Sequence, residues 1–323
     1  MAEYGWGLTE QLMRKAHREL NEIAERRRQD IETVREQIES KTDINFLRTD
    51  DAFILRFLRA RKFDTDEAFK LLCKYFEYRQ KNTQLFHKFC ASEMGIKHAL
   101  FDSLPGVLPY ADHNGRKILV LFAAHWDNSR YSLSSIYRAI LLTLERLIEE
   151  EANQINGFVI VVDWTEFTFK QSTYVNPKLL KSMVEGLQDC FPARFGGVHF
   201  INQPWFVEAI LKVVKPFLKE KTKGKIHLHG NNLGTLHNYI HKEVLPAELG
   251  GLIPPYNTES WAKELIGDEI FSYGESHIFW PTQEIPDGIP KSNSQTKFPD
   301  TNLTTKMDTP DRRELDEEFF LIE

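Results

Sequence analysis

Apolar positions along this chain change period near residue 95. Before it they recur at helical spacing: Leu12, Ala16, Leu20 and Ile23 share one face behind a start at Leu8-Thr9-Glu10, with Thr9 as the cap. After Asp50-Asp51, the residues Phe53, Ile54, Phe57, Leu58 and Ala60 interleave with Arg56, Arg59 and Arg61, and a turn at Phe63-Asp64 leads into a helix through Ala68, Leu72, Phe76 and Arg79. Residues 1–92 are therefore expected to form an all-α N-terminal extension and subdomain. Arginines on such faces are usually solvated or salt-bridged rather than ligand-binding. Beyond Gly95, short continuous apolar runs alternate with helical stretches. Strands are predicted at Lys117 to Ala124, Gly157 to Asp163, Val198 to Ile201 and Lys225 to His229, and helices at Ser132 to Glu150, at Pro177 to Asp189 and from Trp205. Runs such as Ile118-Leu119-Val120-Leu121-Phe122 suit strands covered on both faces and joined by helical crossovers, so residues 96–257 read as an α/β domain on a mainly parallel sheet. A short C-terminal extension over 258–278 follows. The Pro-, Ser-, Thr- and Asp-rich stretch over 279–323 has too little apolar content to fold alone and reads as a mostly disordered acidic tail.

The helix opening at Trp205 has an unusual pattern. Glu208, Lys212, Lys215 and Lys219 fall at offsets 0, 4, 7 and 11 and form one polar stripe. Phe206, Ile210, Val213 and Phe217 form a neighbouring apolar stripe, and Val207, Leu211, Val214 and Leu218 the next. Burial between two layers would explain that width. The lysines add something else: from Lys215 to Lys225 there are five lysines against one acid, Glu220, in a chain of formal net charge −6. Each lysine beside an anionic membrane contributes about 1 kcal/mol, so the segment points to an anionic partner. Pro216 removes a backbone donor and is expected to kink or hinge the last turns. The helix is read as a gate.

The 323 residues, 41% hydrophobic and 12% aromatic, are ample for a large core. No apolar run approaches the roughly 20 residues that span a bilayer, and the N-terminus lacks a signal-peptide pattern, which predicts a cytoplasmic or peripheral protein. The three cysteines, Cys73, Cys90 and Cys190, fit neither a disulfide framework nor a metal spacing. No glycine-rich nucleotide cradle, Walker loop or nucleophile elbow is present. His237 and His241 stand four apart, but Asn238 occupies the place where a zincin motif needs Glu. His227 and His229 share a strand face and read as satisfied strand histidines. Asp163, at a strand's carboxyl end, reads as a cap. No catalysis, cofactor or metal is expected.

Several ordered segments resemble the CRAL-TRIO lipid-binding family. They are Phe57-Leu58-Arg59-Ala60-Arg61-Lys62-Phe63, Gly115-Arg116-Lys117, the strand from Gly157 to Asp163, Phe191-Pro192-Ala193-Arg194, Ile201-Asn202-Gln203-Pro204, Lys215-Pro216-Phe217-Leu218 and Leu245-Pro246 to Gly251. The likeness covers roughly residues 8 to 260. Within the family, Phe46 to Leu55, Phe191 to Gly197 and His229 to Leu233 look like the clavesins. The resemblance implies a CRAL-TRIO fold with a lipid pocket closed by a mobile helix, and no catalysis. On the clavesin branch it implies binding of phosphatidylinositol bisphosphate, the 3,5-isomer, and a role in endosome, lysosome and clathrin-vesicle traffic, peripheral on trans-Golgi network, endosome and clathrin-coated vesicle membranes.

From the α-tocopherol transfer protein, a related member with a basic rim for phosphoinositide headgroups, the rim positions carry over to Arg194, Lys221 and Lys225. A fourth rim cation is replaced by Gly196, leaving Lys219 or Lys223 to supply its charge. Phe206, Ile210, Val213, Val214 and Phe217, with Ile160, Phe167 and Phe169, are expected to line the pocket or form its gate. The pocket lipid stays open, since relatives hold retinoid, tocopherol or phospholipid, and a carrier of a neutral lipophile is the alternative function. The C-terminal Phe319-Phe320-Leu321-Ile322-Glu323 resembles a clathrin box with phenylalanines in place of leucines. With Glu317 it also fits an acidic dileucine pattern, which would select a clathrin adaptor.

Overall fold

The computed structural model describes residues 8–272. The sequence signals that start its first helices act as capping physics requires. Helix α1 (Glu10–Leu20) begins where the Thr9 hydroxyl accepts the Leu12 N–H at 3.3 Å, and it stops at Asn21, whose left-handed φ of 59° turns the chain. After α2 (Arg27–Ser40), the Asp50 carboxylate accepts the Phe53 N–H at 3.0 Å and starts α3 (Asp51–Ala60). Then follow α4 (Thr65–Lys81), the single turn α5 (Thr83–Phe86) and α6 (Met94–Phe101). Edge-on and tilted ring contacts among Phe53, Phe57, Tyr75 and Phe76, with centroids 5.1–5.9 Å apart, fill the space between α3 and α4.

Among the described residues, five strands form one sheet in the order β1 (Gly106–Val107), β2 (Lys117–Phe122), β3 (Phe158–Asp163), β4 (Phe195–Ile201) and β5 (Ile226–Leu228). Only the β1–β2 pair is antiparallel. The crossovers are α7 (Leu133–Leu147) with α8 (Glu151–Asn156), α9 (Phe169–Ser172) with α10 (Pro177–Glu185), and α11 (Trp205–Val214) with α12 (Glu220–Lys223). Helices α13 (Leu233–His237) and α14 (Ser260–Ser272) end the described chain. The mainly parallel α/β sheet expected from the sequence is therefore present, behind a helical N-terminal layer.

That layer is joined to the sheet domain by buried charge: of the two readings of its arginines, solvated or salt-bridged, Arg56, Arg59 and Arg79 take the second. Arg59 is fully buried; it donates to both Glu22 carboxylate oxygens at 2.9 Å and to Gln154 Oε1 at 2.8 Å, and pairs with Glu151 at 2.7 Å. Glu145 of α7 accepts from Tyr75 at 2.7 Å and pairs with Arg79 and, at 3.5 Å, with Arg56. Amphipathic spacing marks the face on which these arginines lie but not which acids, far away in sequence, meet them there.

The two faces of the sheet differ in how they are covered. On one, Ile118, Val120, Val159, Val161 and Ile201 are buried against Leu236, Ile240, Leu245 and Leu249. On the other, Ile160, Val198 and Ile226 lie side by side in register, and none is fully buried despite two of them being on interior strands. Leu121 and Phe200 are likewise half-open. The elements above this face, α10 and α11, contribute a single buried residue, Val207. Protein interiors normally pack to crystal density, so a sheet face left open under a thin helical cover marks a volume that the chain's own side chains do not fill.

Three of the boundaries that depart from expectation bear on the site. Strand β4 begins at Phe195 rather than Val198, because Gly196-Gly197 carries no strand signal of its own. The helix expected to reach Asp189 is α-helical only to Glu185 and widens into a π turn over Gly186–Cys190. The gate helix ends at Val214, where a 3₁₀ turn over Lys215–Phe217 takes over. Pro216 has no N–H to give Lys212 and its ring opposes that carbonyl, so the helix stops instead of kinking. Lys219 therefore leaves the polar stripe and caps α12.

Candidate functional site

Between α1, the end of α3, the π turn, β4 and α12 lies a cavity of about 640 Å³. Its floor is the apolar sheet face of Ile160, Val198 and Ile226, with Val184, Leu187 and Leu218 contributed by the elements above it. Its walls are basic. Arg194 at the entry of β4 and Lys219, Lys221 and Lys225 around α12 are the cations expected from the sequence, and all four line the cavity. Four more come from elsewhere in the chain: Lys15 of α1, Arg61 and Lys62 at the end of α3, and Arg116 just before β2. One acid, Glu19, faces these eight cations.

Several of these cations have no counter-charge. Among the described residues, Arg61, Lys62, Lys221 and Lys225 form no ion pair, whereas Arg194 pairs with Glu19 at 3.2 Å, Arg116 with Asp112 at 3.2 Å and Lys219 with Asp189. Lys225 donates to the Phe195 carbonyl. Its ammonium is pushed below the ordinary lysine range by burial first, and then by the charges of Lys221, Arg194 and Arg116. A bound anion relieves that repulsion on Lys225.

The expected gap in the rim is filled from an unexpected direction. Gly196 leaves no side chain of its own there, and the Arg116 guanidinium lies over it; a Cβ at 196 would stand 2.7 Å from Arg116 Cζ and closer still to a guanidinium nitrogen. The glycine thus makes room for a cation from the start of β2, the next strand but one. Lys219 lines the cavity but is held by Asp189. Lys223 is outside the lining and pairs with Glu220 at 2.6 Å. Sequence reading missed Lys15, Arg61, Lys62 and Arg116 as site residues, since no local spacing brings positions 15, 61, 62, 116 and 194 together. Only the sheet register and the helical layer do.

The gate segment is fastened at one end and exposed at the other. Gln188 of the π turn accepts the Lys219 N–H at 2.8 Å and the Thr222 hydroxyl at 2.7 Å, and its amide donates to the Phe217 carbonyl at 3.4 Å. At the opposite end, Phe206 packs edge-on against Phe169 at 5.6 Å and lies 6.2 Å from Phe167, while Trp205 is 73% exposed. Val213 and Phe217 are 55% and 40% exposed. Of the gate and pocket residues expected from the sequence, Ile160 lines the cavity; Phe167, Phe169 and Phe206 form an aromatic cluster at the start of α11; Ile210 and Val214 are half-buried; Val213 and Phe217 face outward. The tail residues Phe319, Phe320, Leu321, Ile322 and Glu323 lie outside the described residues.

Other groups singled out in the sequence have structural partners. Asp163 accepts from the Thr165 N–H and hydroxyl at 3.0 and 2.7 Å and from Asn202 at 3.1 Å. His199 and His229 share a hydrogen bond of 3.0 Å, His227 stacks on His199 at 4.8 Å, and burial, with the charges of the other two, holds His199 down at about 3. His237 bonds the Leu249 carbonyl at 3.0 Å and His241 stacks on His113. Among the described residues, no three histidine, cysteine or acidic side chains converge to hold a metal.

Comparison with known proteins places this geometry. The family model for the CRAL/TRIO domain matches residues 101–251, and that for the CRAL/TRIO N-terminal domain matches 29–74. Clavesin-2 of Homo sapiens is 52% identical over 307 residues, which cover 94% of this chain and 94% of that protein. The chain belongs to the CRAL-TRIO family. Clavesin-1 of Rattus norvegicus is 57% identical over 263 residues, 81% of this chain and 74% of the relative. The crystal structure of Sfh5 overlays loosely, with TM-score 0.44 and 11% identity over 84% of this chain and 100% of that one. As a CRAL-TRIO protein this is a lipid-binding protein of a family whose members are not, in general, enzymes. The CRAL-TRIO match takes in β2 to β5, the π turn and the gate, while α1, with Lys15 and Glu19, precedes both matched stretches. No helix among the described residues is long and apolar enough to cross a membrane.

Proposed function

We propose that the protein reads a phosphatidylinositol bisphosphate headgroup in the basic cavity and holds lipid chains over the open sheet face beneath α10 and α11. One observation carries this reading: eight cations and a single acid surround a cavity whose floor is the apolar, half-covered face of a parallel sheet. Phosphates need charge-assisted donors and acyl chains need apolar surface, and this cavity offers both within one opening. Arg194, Lys221 and Lys225 grip phosphate, with Lys219 released from Asp189 to join them and Lys223 at the outer edge. Phe206, Ile210, Val213, Val214 and Phe217 act as the gate, with Ile160 below and Phe167 and Phe169 at its hinge. Burying a chain is worth about 0.8 kcal/mol per methylene, so loading and release take place at a membrane, where the lipid never enters water.

Its resemblance to the clavesins favours the 3,5-isomer and a peripheral place on endosomal, trans-Golgi and clathrin-coated vesicle membranes, with effects on lysosome traffic. Phe319 to Glu323 is the segment offered to clathrin or an adaptor.

Flotation of the full chain with vesicles carrying single phosphoinositides tests the headgroup assignment. The Lys221→Glu/Lys225→Glu variant should lose roughly tenfold or more in bisphosphate binding, given about 1 kcal/mol per lysine at an anionic surface, while keeping its melting temperature. Equal binding by that variant would remove the assignment. No selective binding by the unaltered protein would leave a carrier of a neutral lipophile.

A further inference from the structure

Helix α1 brings one acid to an otherwise basic cavity. Glu19 Oε2 lies 3.2 Å from Arg194 Nη2, with the Glu19 side chain 33% exposed, so the pair stands at the cavity wall rather than in the core. Lys15, one turn earlier on the same face, donates to the Asn114 carbonyl at 2.6 Å and to Asn156 Oδ1 at 2.7 Å. Both of these acceptors are neutral. Burial works against ionisation of Glu19, but the hydrogen bond from Arg194 and the charges of Lys15 and Arg194 outweigh it, and the carboxyl ends below its ordinary range. Lys15 is depressed, by burial first, against the pull of Glu19 and with the repulsion of Arg194 and Arg116. A carboxylate is thus lodged beside Lys15 and Arg194 and 3.4 Å from Arg18, with Arg116, Lys221 and Lys225 also lining the cavity.

We propose that Glu19 is a resident anion that occupies Arg194 until a headgroup phosphate displaces it, and that Lys15, Arg116 and Arg194 then bind that phosphate as a second subsite beside Lys221 and Lys225. This rests on the phosphoinositide reading above. A monophosphate that enters at Lys221 and Lys225 leaves the Glu19–Arg194 pair in place. A bisphosphate fills both subsites and recovers what breaking the pair costs. Glu19 therefore competes only with the headgroup that reaches the second subsite, and α1 is part of the recognition site.

The test compares the full chain with its Glu19→Gln variant on phosphatidylcholine vesicles carrying either phosphatidylinositol 3-phosphate or the 3,5-bisphosphate, and on the soluble bisphosphate headgroup. Glu19→Gln should bind the bisphosphate vesicles more tightly, by roughly two- to fivefold as expected for removing one partly exposed ion-pair competitor, with a smaller gain on the monophosphate. Lys15→Gln should weaken bisphosphate binding and leave monophosphate binding unchanged. If Glu19→Gln does not fold, Glu19→Asp, shorter by one methylene, should give a smaller gain in the same direction. Unchanged affinities, or a uniform weakening that follows a lowered melting temperature, would reduce Glu19 to a structural contact and overturn the proposal. A gain confined to the soluble headgroup would also overturn it, since the subsite would then serve a free inositol phosphate rather than a membrane. Wild-type protein that binds no phosphoinositide vesicle fails the parent reading; selective wild-type binding with an indifferent Glu19→Gln fails only this one.

Discussion

Arg56, Arg59 and Arg61 sit within six residues of one another and meet different fates. Arg56 and Arg59 are buried among Glu22, Glu145 and Glu151, while Arg61, at the end of the same helix, faces the basic cavity without an ion pair among the described residues. Removing one partner of a buried pair strands the other, at a cost of about 3–5 kcal/mol. Arg59→Ala should therefore lower stability by about that amount in urea unfolding, whereas Arg61→Ala should change it by less than about 1 kcal/mol. Equal effects of the two substitutions would contradict the division of roles. Sequence spacing put all three on one helix and stopped there, because the partners lie 37 and more positions away. Gly196 shows the same limit: its missing cation reads as a gap in the chain, yet Arg116 fills that space from the next strand but one.

At the scale of elements, periodicity found the helices and strands and misjudged their ends wherever tertiary contacts decide them. The gate helix was legible from its two apolar stripes and its proline, but its last turn was not, because the stripe assumes that hydrogen bonding continues past Pro216. Strand β4 began earlier than its aliphatic run, since pairing of Phe195 with Phe158 and of Gly197 with Val159 comes from the neighbouring strand rather than from local preference. The latch was invisible in the sequence. Gln188 lies in a π turn, and its amide spans the gap to α12 with bonds to Lys219, Thr222 and Phe217. If those bonds hold the gate's carboxyl end shut, Gln188→Ala should speed transfer of a fluorescent lipid between vesicles several-fold with its equilibrium binding little changed. Transfer at the wild-type rate would make the contact purely structural.

For the whole molecule, a net charge of −6 conceals a local excess of seven positive charges, eight cations less one acid, around a single cavity. The lysine-rich segment revealed three of those cations, and the family resemblance a fourth, Arg194. The other half is assembled by folding, which sets the α1–α3 layer against the sheet through Arg59 and carries Lys15, Arg61 and Lys62 to the rim. The same assembly leaves one face of the sheet thinly covered while the opposite face is packed by Leu236, Ile240, Leu245 and Leu249. A general apolar pattern cannot distinguish those faces, because both alternate in the same strands. Charge at the mouth and unfilled apolar surface below are the two halves of one account.

The most direct test of that account is photo-crosslinking with phosphatidylinositol 3,5-bisphosphate that bears a diazirine on an acyl chain, followed by peptide mapping of the adducts. Adducts on Ile160, Val198, Phe200 and Leu218, suppressed by excess unlabelled bisphosphate lipid and lost in Lys221→Glu/Lys225→Glu, are the predicted result. Adducts confined to exposed residues such as Trp205 and Val213, or unaffected by the lysine substitutions, would contradict a headgroup cavity that opens onto the sheet.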